Sequence, residues 1–257
     1  MRKQILGLIL LVAAFYGYAP AETVFINNPY RFAGAAPAGC PVGTYAFAWD
    51  GDHASGNLVG CLNSGASTVT GTNTGMTVGA TGEGGSIAAS MSAVDQRISF
   101  GIANGDLDES LGVTVWIKAQ FGTSDGTDNA HTIFEGVGTT YEAANHFDMR
   151  VQDTEVVRFY WAASNQSTTA TITRDGSTWV AVGGTAIPDA GAVVNPDIRS
   201  IVGCAGTWAN GNSNPAAFTA EITRLIVGNL ELFASGADPV IIDEVWVINS
   251  LNAACPF

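Results

Sequence analysis

Lysine is nearly missing from this sequence. Beyond residue 21 only Lys118 remains, and charged residues make up 13% of the chain. Asp and Glu number 23 against 10 Lys and Arg, a formal charge of −13. A surface this acidic repels phosphate backbones, which argues against a nucleic-acid partner. Helical periodicity is almost absent too, which argues against a helical fold. There is no C-x-x-C, hence no dithiol redox motif or zinc ribbon. The three histidines, His53, His131 and His146, stand far apart without metal-ligand spacing. After the first 21 residues no apolar run approaches the length of a membrane span.

What is present begins with a leader. Arg2 and Lys3 precede an apolar run from Ile5 to Phe15, and Ala19-Pro20-Ala21 offers small residues for cleavage. Residues 1–21 therefore read as a secretory signal peptide, and the mature chain as secreted, extracellular or periplasmic. Residues 22–43 read as an N-terminal arm; Val24, Phe25, Ile26, Tyr30 and Phe32 are expected to pack on a sheet. Residues 44–257 read as one domain. The four cysteines, Cys40, Cys61, Cys204 and Cys255, fit two disulfides in an exported chain. Three pairings are open. Cys40 precedes the first strand and Cys255 follows the last, so adjacency of those strands favours Cys40–Cys255, leaving Cys61–Cys204.

Short β-rich runs punctuated by Gly, Ser, Thr, Asn and Asp fill the domain, the pattern of an all-β, two-sheet antiparallel sandwich. The last run, Val240–Ile248, is apolar on both alternating faces, which predicts a strand covered on both sides. Strict alternation sends Asp243 and Glu244 to opposite faces. Val113, Val115 and Ile117 face one way, and Thr114, Trp116 and Lys118 the other. Phe147–Val151 and Glu155–Trp161 form a predicted hairpin. On it Asp148, Arg150, Arg158 and Tyr160 share the face opposite Phe147, Met149, Val157, Phe159 and Trp161. Arg and Asp can bond sugar hydroxyls, and a tyrosine ring can stack on a pyranose. Trp208, in a Gly/Asn-rich loop, is a further candidate ligand contact. Asp125, Asp128 and Asn129 supply a loop cluster of hard oxygen donors suited to calcium.

Several runs, taken in order, resemble the laminin-G-like domains of the concanavalin A-like lectin/glucanase superfamily. These are Ala46-Phe47-Ala48-Trp49-Asp50-Gly51; Gly85-Ser86-Ile87 through Ile98-Ser99-Phe100; Val113 to Lys118; His131-Thr132-Ile133-Phe134; Arg224 to Asn229; and the closing Ile241-Ile242-Asp243-Glu244-Val245. The resemblance covers about residues 45–250 and implies a jelly-roll sandwich. It also implies a structural calcium near Asp243. The family's Trp-x-His ahead of Val202 is replaced by Asp197-Ile198-Arg199.

The resemblance also extends to laminarinase-type glycosidases, whose Glu-x-Asp-x-x-Glu lies along one strand, and this sequence lacks that triplet. Asp106, Asp108 and Glu109 belong to a turn. Gly122-Thr123-Ser124-Asp125-Gly126 matches a nucleophile elbow only formally, without a following helix. The expectation is a non-catalytic recognition module whose partner is carbohydrate or an extracellular or cell-surface protein. The alternative is a structural subunit of an extracellular assembly, with the arm joining copies into a homo-oligomer.

Overall fold

The computed structural model describes residues 40–51, 58–93, 95–123, 130–138, 145–152, 154–161, 165–166, 170–187, 198–211, 218, 220–228 and 239–257. All fall within the compact unit Gly34–Phe257. The predicted leader and nearly all of the predicted arm lie outside the described residues, as do Asp125, Asp128 and Asn129.

Two antiparallel sheets are formed. Sheet A runs β16 (Ala209–Asn210), β15 (Ile198–Val202), β14 (Trp179–Ala186), β8 (Val113–Phe121), β18 (Val240–Ile248), β1 (Phe47–Asp50), β2 (Val59–Leu62) and β3 (Ser67–Thr70). In the same sheet β6 (Ile87–Met91) lies on β18, and β5 (Thr77–Thr81) on β6. Sheet B runs β12 (Asn165–Gln166), β11 (Val156–Trp161), β10 (His146–Gln152), β9 (Ala130–Val137), β17 (Arg224–Gly228), β7 (Arg97–Gly101) and β4 (Thr72–Thr74). There β13 (Ala170–Thr171) also pairs with β11. The expected all-β two-sheet sandwich is what the chain forms.

The sheets meet along alternate side chains. Val113, Val115, Ile117, Ala119 and Phe121 of β8 face Phe147, Met149 and Val151 of β10 and Val157, Phe159 and Trp161 of β11 in one core. Each large side chain buried this way contributes about 1.5–3 kcal/mol. β14 is a strand that alternation alone does not disclose, because Gly183-Gly184 interrupts its pattern. Both glycines are steric necessities. A Cβ on Gly184 would stand 2.4 Å from the Phe159 ring of the facing sheet, and one on Gly183 would meet Ile201 at 2.7 Å and Trp116 at 3.0 Å.

β18 is the strand around which sheet A is built. One edge pairs with β8 over its length; the other is shared between β1 (Phe47↔Val247) and β6 (Val240↔Met91). Where the partner changes, the register against β8 slips: Ile242 pairs with Ala119 and Glu244 with Lys118. Asp243 is the extra residue of a β-bulge. Ile242 and Val245 both enter the central core, so Asp243 and Glu244 both lie off the core face. The expectation of opposite faces is thereby corrected. The strand is covered on its outer side as well, where Tyr45, Ala48, Cys61, Trp116, Ile201 and Trp246 form a second cluster against Cys40, Trp208, Cys255 and Phe257.

Both disulfides border that second cluster, but not in the expected pairing. Cys40 is bonded to Cys61 (Cα–Cα 5.7 Å) and Cys204 to Cys255 (5.2 Å). First and last strands are adjacent as expected. However, β1 has β2 on its other edge, and the chain before β1 folds back over β2 to reach Cys61. After β18 the chain crosses in the opposite direction. Trp116 Nε1 donates to Ala253 O (3.0 Å) on the way to Cys204, just beyond β15. The two segments leave β1 and β18 on diverging paths, so Cys40 and Cys255 do not meet.

Candidate functional site

Registers place the predicted hairpin residues together on the outer face of sheet B. Asp148 lies opposite Tyr160, and Arg150 opposite Arg158. Successive outward residues of one strand, Asp148 and Arg150 form a forked ion pair: Nε donates to Oδ1 at 2.6 Å and Nη2 to Oδ2 at 2.7 Å. The guanidinium also lies 4.0 Å from the Tyr160 ring centroid. Asp148 is fully buried and Arg150 only 8% exposed, while Arg158 and Tyr160 are half-buried at the β11 side. A planar fork clamped on a carboxylate and stacked on an aromatic ring has fixed hydrogen-bonding directions.

Two neighbours complete this cluster, and the sequence did not single them out as site residues. His146 Nε2 stands 3.2 Å from Asp148 Oδ2. On the other flank Glu135 of β9 is directly opposite Asp148 and is fully buried. Glu135 is separated from Asp148 by a dozen residues, so only strand pairing brings the two carboxylates together. Cross-strand partners have Cβ atoms about 4.5–5.5 Å apart, so the two acidic side chains are neighbours on the sheet. Here both residues are sealed from solvent, and the Asp148 carboxylate is held by Arg150 and faces His146. Among the described residues no group of three His, Cys, Asp or Glu is gathered in metal-binding geometry.

Trp208 is not part of this face. It packs against Trp116 (centroids 5.6 Å) on the outer side of sheet A, at the opposite surface of the sandwich.

Asp243 sits at the β18 bulge, 3% exposed. Its Oδ1 accepts the Ser86 hydroxyl (2.8 Å) and its Oδ2 the Glu83 N–H (3.2 Å), tying the Glu83–Gly85 turn to the central strand. Glu83 in turn pairs with Lys118. Glu244, half-buried beside it, accepts Trp246 Nε1–H at 3.2 Å. Its carboxyl is pushed up in pKa, chiefly by burial, with Asp243 and Asp50 adding to the rise, while Trp246 and Lys118 oppose it. Asp106 and Asp108 cap local turns through Ala103 N and Ser110 N, as expected of turn residues.

No protein-family model and no curated protein matches the sequence. Solved structures do match in fold. The receptor-binding domain of botulinum neurotoxin type G superposes with a TM-score of 0.57 at 6% identity, covering 82% of this chain and 49% of that one. The binding domain of serotype D gives 0.57 at 5%, covering 82% and 48%. Trypanosoma rangeli sialidase gives 0.54 at 12%, covering 92% and 34%. The chain thus spans about half the length of the toxin domains and about a third of the sialidase. At these identities the likeness is one of fold: a two-sheet β-sandwich. Two disulfides accord with an oxidising compartment. No helix among the described residues is long and apolar enough to cross a membrane.

Proposed function

We propose that this chain is a secreted, non-catalytic recognition module of the laminin-G-like, concanavalin A-like class, binding glycan through the β10–β11 rim of sheet B. The observation that carries this reading is the Asp148–Arg150–Tyr160 arrangement with Arg158 beside it. A clamped guanidinium, a buried carboxylate behind it and a half-buried tyrosine are the few fixed polar and aromatic groups that orient a polar ligand. Groups already immobilised lose little conformational entropy on binding, which favours recognition of a small, hydroxyl-rich ligand. Residues 1–21 serve as the export signal, in keeping with the two disulfides. The sealed Glu135–Asp148 pair supports binding over hydrolysis, because neither carboxyl reaches solvent. A single site of this kind is weak, and useful avidity comes from several copies on one surface.

The test is a glycan array probed with the full mature chain and with Arg158→Ala and Tyr160→Ala. Selective retention of a glycan class, lost in both variants while their melting temperatures stay within a few degrees of the parent, is expected. An array without hits would overturn glycan binding; intact binding in both variants would move the site elsewhere.

A further inference from the structure

The two disulfides differ in a way that bears on regulation. Cys61 is 2% exposed, with Ala48 opposite it on β1, while its partner Cys40 is half-buried. Cys204, by contrast, is exposed in the turn after β15, and its partner Cys255 is only half-buried. Thiol–disulfide exchange requires access of a thiolate to sulfur, so the solvent-facing bridge is the reducible one.

The segment fastened by that bridge has the character of a lid. From Asn249 to Phe257 no residue is fully buried, and the apolar contacts of the segment are those of Cys255 and Phe257 against the second cluster. Beneath it Trp116 is 1% exposed. The indole lies across Gly183 towards Ile201, with Trp208 on its edge. Its polar fastenings are single hydrogen bonds: Thr114 Oγ1 donates to Ser250 O (2.5 Å) and accepts Ala253 N–H (3.1 Å), Asn252 N–H donates to Thr185 Oγ1 (3.1 Å), Trp116 Nε1 donates to Ala253 O (3.0 Å), and Asp108 N–H donates to Asn249 Oδ1 (3.1 Å). At the far end the Phe257 ring lies 5.4 Å from Lys118 Nζ. The surface covered is well buried while the cover is not, and the bridge is the covalent fastening added to these non-covalent ones.

We infer that Cys204–Cys255 is a redox latch, whose opening releases the C-terminal segment Asn249–Phe257 and uncovers the Trp116–Ile201–Trp208 surface of sheet A. A dithiol reductant supplies the electrons. One of its thiolates attacks a sulfur of the bridge to give a mixed disulfide, and its second thiol resolves this. The reductant leaves as a disulfide, and Cys204 and Cys255 each gain a proton as free thiols. Cys40–Cys61 opens at higher reductant levels, because Cys61 is buried and Cys40 only half-buried whereas Cys204 is exposed, and the central core between the sheets is untouched.

The folded full chain is treated with graded dithiothreitol, alkylated and peptide-mapped, while tryptophan emission and carboxypeptidase digestion are followed. Cys204 and Cys255 should be alkylated at reductant levels that leave Cys40 and Cys61 paired. Tryptophan emission should shift to the red, and the last residues should become digestible while the remainder resists. The double variant Cys204→Ser with Cys255→Ser should reproduce the open state without reductant and still unfold in one cooperative transition. Reduction of Cys40–Cys61 first or simultaneously overturns the latch. So does unchanged emission and tail protection after Cys204–Cys255 has opened. A double variant that cannot fold overturns it too, since the bridge would then be a structural staple.

Discussion

Asp243 offers the sharpest test of how sheet A is held together. Its carboxylate joins the β18 bulge to the Glu83–Gly85 turn, through Ser86 Oγ and Glu83 N. Asp243→Ala removes two hydrogen bonds to a charged acceptor, worth about 1.5–3 kcal/mol each, and leaves both donors wanting a partner. The loss is partly offset because a buried carboxylate is taken away from beside Glu244, which relieves desolvation and like-charge repulsion. The net expectation is a destabilisation of about 2–3 kcal/mol, or about 5–10 °C in melting temperature for a domain of this size. Asp243→Asn preserves shape and one acceptor but turns an amide donor towards the other donor, costing about 1–2 kcal/mol. Thermal and urea unfolding of the parent and both variants, each with and without chelator, would measure these losses. If hydrogen bonding is the role of Asp243, any effect of chelator should be the same in the parent and both variants. If it lowers the parent's melting temperature and leaves Asp243→Asn unmoved, the carboxylate is a calcium ligand and the hydrogen-bond reasoning fails.

Other outcomes follow from particular contacts. Gly184→Ala should destabilise by about 1–3 kcal/mol through overpacking against Phe159, and urea midpoints equal to the parent's would mean that the sheets can part freely there. The Glu244 carboxyl holds its proton more tightly folded than unfolded, so the folded state loses stability as pH rises through and above the ordinary glutamate range. Glu244→Gln should therefore match the parent at low pH and exceed it at neutral pH; a variant less stable at neutral pH would contradict this sign. The Tyr45 hydroxyl is pushed up to about 12 by burial, with the Asp50 charge adding to it. Stability should accordingly decline with Tyr45 in place as pH rises past the usual tyrosine range, and Tyr45→Phe should flatten that limb of the pH–stability profile.

Much of the sandwich is legible in the sequence because strand periodicity is a local property. Val113 to Lys118 alternates as written, and Phe147, Met149, Phe159 and Trp161 turn inward as a set. What escaped depends on partners distant in the chain. The bulge at Asp243 arises where β18 exchanges β1 for β6, a change no window around Asp243 contains. β14 was obscured by Gly183-Gly184, whose reason lies in Trp116 and Phe159. Disulfide pairing failed for the same reason: adjacency of β1 and β18 was correct, but the directions taken by the segments beyond them were set by β2 and β15. On the candidate site, the shared face of Asp148, Arg150, Arg158 and Tyr160 followed from alternation. Full burial of Asp148, the opposing Glu135 and the removal of Trp208 to the other surface required sheet order.

The central claim, recognition through the β10–β11 rim of sheet B, is tested most directly by titrating the strongest array ligand against the parent, Tyr160→Ala and Trp208→Ala. With Tyr160 in the site and Trp208 on the far surface, affinity should fall about tenfold or more in Tyr160→Ala, the loss of roughly 1.4 kcal/mol, and stay unchanged in Trp208→Ala. Loss of affinity in Trp208→Ala with full binding in Tyr160→Ala would place recognition on sheet A and contradict the assignment.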